Sequence, residues 1–271
     1  LDFVRQAKAL SEKMKVISLD QLGVLRSEAI AENEDYSMEY QVEMLEEMRK
    51  NFGIEKWSIL GHSYGGMLAV LYASLYPDSI HKVILECPSL YFEDSARSIA
   101  EYLSGHIHSL NNGQADKLCE KVKSKDYQGK PEVVYDVLSL FEYVTDMQLH
   151  NYLHGISFEE YQQSMDTTGI TDEMWAKGER HMMKLLEVKP EDASQKRVMM
   201  TDNFLPVIQR ITLPVLLIRG KYDPVCTKYQ AEYVMSHVPN AEQVVFENSG
   251  HFPRIEEAKK YTETILRFCK L

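Results

Sequence analysis

The sequence predicts an α/β fold, a mostly parallel sheet flanked by helices and interrupted by an inserted helical lid. Three observations carry this expectation. Short apolar, β-branched runs recur at residues 15–20, 56–60, 82–87, 214–220 and 242–247. Patterns with helical period lie between them, as βαβ crossovers require. The long stretch between the third and fourth runs contains helical patterns and no convincing strand.

The elements follow in order. "KVISLD" at 15–20 reads as a first strand after a helix-like stretch at 1–14. Residues 37–50 place Met38, Val42, Met44, Leu45 and Met48 at helical spacings. "KWSIL" at 56–60 is nearly continuous in apolar character, as a strand covered on both faces should be. A small, apolar helix at 66–76 then stops at Pro77. "KVILEC" at 82–87 is the third strand. "PVLLIRG" at 214–220 and "EQVVFE" at 242–247 are the fourth and fifth, followed by helices at 228–237 and 255–269. Residues 1–90 and 201–271 therefore form the expected core, and 91–200 the helical cap inserted into it.

Composition limits the function. A net charge of −11 over 271 residues opposes nucleic acid or an anionic membrane as partner. No apolar run reaches the roughly 18 residues that would suggest a membrane span. Cys87, Cys119, Cys226 and Cys269 are scattered without a C-x-x-C pair. That pattern reads as free thiols in a reducing cytoplasm. The partner expected is a small molecule or short peptide.

The chemistry centres on "SILGHSYGGM" at 58–67, where Gly61-x-Ser63-x-Gly65 joins a strand to a helix. A nucleophilic serine on such a junction adopts a strained turn, and the residues two places away must be nearly free of side chain. Gly61 and Gly65 are assigned that part, and Gly66 is expected to let the helix approach the sheet. Neither G-x-G-x-x-G nor a terminal Gly-Lys-Ser/Thr is present, which removes the phosphate-loop alternative. A serine hydroxyl needs a base, and the base needs an orienting acid. Asp223 follows the fourth strand and His251 follows the fifth, at the sheet edge that carries Ser63. Ser63, Asp223 and His251 are the catalytic candidates, and the backbone N–H of Tyr64 is one oxyanion donor. No cofactor or metal is expected. His106/His108 and His150/His154 have metal-like spacing but no third ligand stands out.

At these residues the chain resembles the α/β-hydrolase superfamily, through "GHSYGG", "RGKYDPV" and "SGHFPRIE". "VISLDQLGVLRS" at 16–27 and the segment from Trp57 onward are similar to the proline iminopeptidase branch. The resemblance covers the sheet regions and implies a cofactor-free serine hydrolase, an aminopeptidase first and an esterase or lactonase second. Leu22 stands where those relatives often carry arginine, and Pro224 where some carry an acid. Glu86, Glu191 and Asp192 are alternative groups for a substrate amino terminus, each weighed against a plain solvated acid. The fold also implies a second oxyanion donor from a loop before residues 15–20. No such loop is visible, so an additional N-terminal segment carrying edge strands and that loop is expected to be absent from this chain, with a natural variant that does without it as the alternative. A non-catalytic small-ligand binding protein on the same scaffold is the reading from another class.

Overall fold

The computed structural model describes residues 3–31, 37–127, 132–186 and 200–270. Among these, β1 (Trp57–His62), β2 (Ile80–Glu86), β3 (Val215–Gly220) and β4 (Ala241–Phe246) form one parallel sheet in that spatial order. His62 pairs with Glu86, Glu86 with Ile218, and Gly220 with Phe246. The carboxyl ends therefore finish along one edge, and the loops leaving them converge there.

The expected strand at 15–20 is not formed; these residues carry no regular structure. Their apolar pattern is explained by flank packing instead. Val16 lies with Leu60, Phe246 and Tyr261 in a hydrophobic cluster, so it is covered without a backbone ladder. The following "DQLG" segment is a compact turn. Arg26 donates from its backbone and its guanidinium to Asp20, at 3.3 Å each, and Ser27 Oγ donates to the Asp20 carbonyl at 2.5 Å.

Helices cover both faces of the sheet. In chain order they begin with α1 (Val4–Ser11), α2 (Met38–Asn51) and α3 (Tyr64–Leu75). The segment between β2 and β3 supplies α4 (Phe92–Ser109), α5 (Gly113–Lys123), α6 (Glu132–Phe141), α7 (Met147–His150), α8 (Phe158–Ser164), α9 (Asp172–Leu186) and α10 (Leu205–Ile208). α11 (Lys228–His237) separates β3 from β4, and α12 (Pro253–Glu256) and α13 (Ala258–Cys269) close the chain. Strand β3 shows the two-sided burial most clearly. Val215 and Leu217 face α2, α3, α10 and α11, while Leu216 and Ile218 face α1 and α13. Each such fully buried aliphatic side chain contributes ~1.5–3 kcal/mol.

The helices α4 to α6 bury a second core of their own, built on Ile99, Leu103, Ile107, Val137 and Leu140. Gln230 of α11 fastens its near end. Its Oε1 accepts from the backbone N–H of Leu90 (2.8 Å) and Tyr91 (3.1 Å), and its Nε2 donates to Ser95 Oγ (3.0 Å). The far end, at residues 152–155, meets the loop after β4.

Candidate active site

Ser63 sits between β1 and α3 with φ 53° and ψ −119°. A side-chain-bearing residue held there stores about 1–3 kcal/mol of strain. The turn is held by hydrogen bonds from Ser63 N–H to the Glu86 carbonyl (3.0 Å) and from Gly66 N–H to the Ser63 carbonyl (2.9 Å). A Cβ at Gly61 would overlap the Gly65 carbonyl oxygen, so that glycine is required. One at Gly66 would run into Pro88, which explains the close approach of α3. The expectation for Gly65 is corrected: a Cβ there meets nothing within 4 Å. Of the two glycines that bracket Ser63, only Gly61 is sterically required. Helix α3 also starts two residues earlier than expected, at Tyr64, whose N–H has no acceptor within the helix.

Asp223 lies in the loop after β3. Its Oδ1 accepts from Val225 N–H (2.9 Å) and its Oδ2 from Cys226 N–H (3.0 Å), just before Thr227 caps α11. Oδ1 also stands 2.9 Å from His251 Nδ1, and both side chains are buried, at 0% and 5% exposure. A carboxylate can only accept, so the shared proton belongs to Nδ1. Nε2 is then the ring nitrogen left to act as a base.

His251 is held on other sides as well. Its carbonyl accepts from His62 Nε2 at 2.9 Å, and the two rings lie 4.5 Å apart. Burial, then the charges of Arg254 and His251, keep the His62 imidazole well below its ordinary range. A neutral His62 is therefore the donor in that bond. This contact brings the residue preceding Ser63 against the histidine. The structure thus joins Asp223 and His251 directly and places Ser63 on the same sheet edge, one residue from the His251 contact. A second serine, Ser95, lies nearby but is fully buried; its Oγ donates to the Val225 carbonyl at 2.7 Å and belongs to the Gln230 network.

Cys87 follows β2 in a left-handed conformation, φ 45°, and its sulfur lies within 4.8 Å of the Asp223 and His251 ligand atoms. Such a trio has the donor set of a metal site. Here Asp223 and His251 are already hydrogen-bonded to each other, and burial, then the Asp223 charge, push the thiol well above its ordinary value. Of the spaced histidines, His106 has a buried Nε2 without a hydrogen-bond partner among the described residues, while two others are engaged. His108 Nδ1 lies 2.7 Å from Asp116 Oδ1, and His154 stacks on Tyr222 at 3.4 Å.

Glu86 is part of the fold rather than of an open pocket. It is fully buried, it accepts from Tyr261 Oη at 2.9 Å, and it lies 3.1 Å from the Arg254 guanidinium. Glu191 and Asp192 lie outside the described residues. Sequence reasoning missed Gln230 and Glu256, although a Glu at the end of "HFPRIE", after a helix-starting proline, was a visible signal. It also missed a cavity of about 230 Å³ between the 19–28 turn and α2, lined by Leu22, Gln41, Met44 and Leu68. Gln41 hydrogen-bonds the Tyr64 hydroxyl at 3.0 Å, so this cavity borders the Ser63 turn.

Comparison with known proteins places this geometry in a family. A model described as alpha/beta hydrolase fold matches residues 1–258. The chain belongs to the alpha/beta hydrolase fold family. As a member it is similar to the proline iminopeptidase of Saccharolobus solfataricus, 27% identical over 94% of this chain and 76% of that protein. It is also 26% identical to the proline iminopeptidase of Clostridium botulinum, over 95% of this chain and 81% of that protein. Among solved structures it superposes on the meta-cleavage product hydrolase of Pseudomonas fluorescens with a TM-score of 0.62, at 18% identity over 99% of this chain and 84% of that one. MenH from S. aureus gives 0.63, at 19% identity over 99% and 88%. Among the described residues this hydrolase-fold chain carries a reduced, four-stranded core with a buried histidine–aspartate pair, and fold and geometry together support a serine-hydrolase-like enzyme. No helix among the described residues is long and apolar enough to cross a membrane.

Proposed function

We propose that this chain hydrolyses an amide or ester bond of a small substrate through Ser63, His251 and Asp223. The observation that carries the reading is the buried 2.9 Å contact between His251 Nδ1 and Asp223 Oδ1, on the sheet edge where Ser63 is held in its strained turn. Ser63 Oγ attacks the substrate carbonyl carbon as its proton passes to His251 Nε2. The Tyr64 N–H receives the developing oxyanion. Collapse of the tetrahedral intermediate expels the leaving group, which takes the proton from His251, and leaves an acyl-Ser63. Water activated by the same imidazole then releases the acid. Asp223 holds the ring in the required tautomer throughout. The segment 91–200 acts as a cap over Ser63 and shapes the substrate pocket.

A proline iminopeptidase-like activity is the first choice of substrate class. It is supported by the similarity to those relatives over nearly the whole chain. An esterase reading is favoured by one observation: Glu86, a candidate anchor for a substrate amino terminus, is already engaged by Arg254 and Tyr261. A proline-β-naphthylamide assay beside a panel of short-chain p-nitrophenyl esters separates the two. Turnover of the naphthylamide at a higher kcat/KM than every ester supports the peptidase. Ester turnover alone overturns it in favour of the esterase.

A further inference from the structure

Four backbone N–H groups, two in the loop after β4 and two in the segment before α8, converge on one carboxylate. Glu256 Oε2 accepts from the N–H of Gly250 (2.7 Å) and of Phe252 (3.2 Å), the two residues that flank His251. Glu256 Oε1 accepts from the N–H of His154 (2.6 Å) and of Gly155 (3.1 Å), in the far end of the helical segment. All four donors point at one anion, and such charge-assisted bonds are the stronger kind.

The two loops touch closely around this point. A Cβ on Gly250 would collide with the Tyr152 carbonyl oxygen, and one on Gly155 with that of Asn248. The N–H of His251 donates to the Tyr152 carbonyl at 3.1 Å, with Tyr152 itself in the left-handed region at φ 54°. The Tyr152 ring stands edge-on to the His251 ring, centroids 5.5 Å apart. The position of the imidazole is therefore set jointly by the sheet and by residues 152–155.

The structure assigns Glu256 as the positioning residue that locks the His251 loop to the helical segment and so sets the reach of the imidazole toward Ser63. This rests on the reading of Ser63, His251 and Asp223 proposed above. Glu256 touches neither substrate nor the reacting atoms; it acts through the backbone on either side of His251. A glutamine in its place keeps the volume but offers one acceptor oxygen and an NH₂ donor. Whichever way the amide turns, one of the two loops then faces a donor with its own donors.

The test uses the full chain with Glu256→Gln and Glu256→Ala, measured beside wild type, Ser63→Ala and His251→Ala on one p-nitrophenyl ester. Misplacement of a catalytic group by about 1 Å lowers turnover by roughly 10²-fold. Glu256→Gln is expected to lose about 10- to 100-fold in kcat with KM little changed, and to shift the acid limb of the kcat/KM profile. Amide exchange at Gly250, Phe252, His154 and Gly155 should be slow in wild type and accelerate together in the variant. A folded Glu256→Gln with wild-type kcat and pH profile overturns the assignment, as does a loss confined to KM. Fast exchange of Gly250 and Phe252 in wild type overturns it without any variant. If Ser63→Ala keeps full activity, the serine reading fails and the role of Glu256 falls with it. If activity depends on Ser63 while Glu256→Gln is unimpaired, only the assignment of Glu256 fails.

Discussion

His251 Nδ1 lies 2.9 Å from Asp223 Oδ1, the two residues 28 positions apart in the chain and both side chains shut away from solvent. The loop after β3 presents the acid and the loop after β4 the base, so the parallel register brings together two groups that no local element could join. Asp223→Asn keeps the shape but replaces one acceptor oxygen with a donor, and the imidazole loses its enforced tautomer. In a well-studied serine protease the same change costs about 10⁴ in kcat. A loss of that order is expected here, with a lower melting temperature as well because the new NH₂ faces the N–H of Val225 or Cys226, and steady-state ester hydrolysis beside thermal unfolding checks it.

The two glycines around Ser63 should respond in opposite ways. Gly61→Ala drives a methyl into the Gly65 carbonyl and must distort the turn, lowering both melting temperature and activity. Gly65→Ala meets open space near the start of α3. It should stabilise the fold by about 0.4–1 kcal/mol through reduced freedom of the unfolded chain. Thermal unfolding of the two variants measures the contrast, and equal destabilisation would refute the steric account.

Glu46 governs part of the acid stability. Its carboxylate takes hydrogen bonds from Arg49, Tyr72 and Ser79, and its pKa falls from 4.5 to about 2, with the Arg49 bond the largest cause. A depressed folded-state pKa means that the contribution is complete above about 4.5 and is lost as pH falls through about 2. Glu46→Gln should therefore be less stable than wild type at pH 7, and the difference should shrink between pH 4.5 and 2. Urea midpoints across that range test it.

Glu86→Ala separates a structural acid from a substrate anchor. Burial pushes the Glu86 carboxyl upward while Arg254 pulls it down, so the pair survives by mutual contact. Removing one partner of a buried pair leaves the other uncompensated and costs about 3–5 kcal/mol. A large drop in denaturant midpoint with an unchanged KM is the expected outcome. A KM effect without loss of stability would return Glu86 to the substrate pocket.

Much of this architecture was legible in the residues because the signals were dense. The runs that became β2 and β3 are largely buried and those of β1 and β4 partly so, so apolar continuity marked them, and Ser63, Asp223 and His251 follow strand ends. The run at 15–20 misled because apolar alternation reports coverage, not pairing: Val16 is covered by neighbours from α1, β1, β4 and α13 without a strand partner. The single helix expected at 255–269 is two, α12 and α13, broken at Glu257 with φ −131° and ψ 52°. The break has a tertiary cause. Glu256 is drawn toward Gly250 and Phe252, and Glu257 accepts from Asn248 N–H (3.0 Å) and Ser249 Oγ (2.7 Å). Period and propensity do not register such demands from the preceding loop. For the same reason Gln230, tied to Leu90 and Tyr91 across 140 and 139 residues, was invisible until the fold was known.

The central claim is that Ser63 is a nucleophile activated by the His251–Asp223 pair. The most direct measurement is labelling of the intact chain with a fluorophosphonate, followed by peptide mapping. The account predicts stoichiometric phosphonylation on the peptide carrying Ser63, abolished in Ser63→Ala and slowed by orders of magnitude in His251→Ala. An unlabelled Ser63, or a label on another serine such as Ser95, would contradict it.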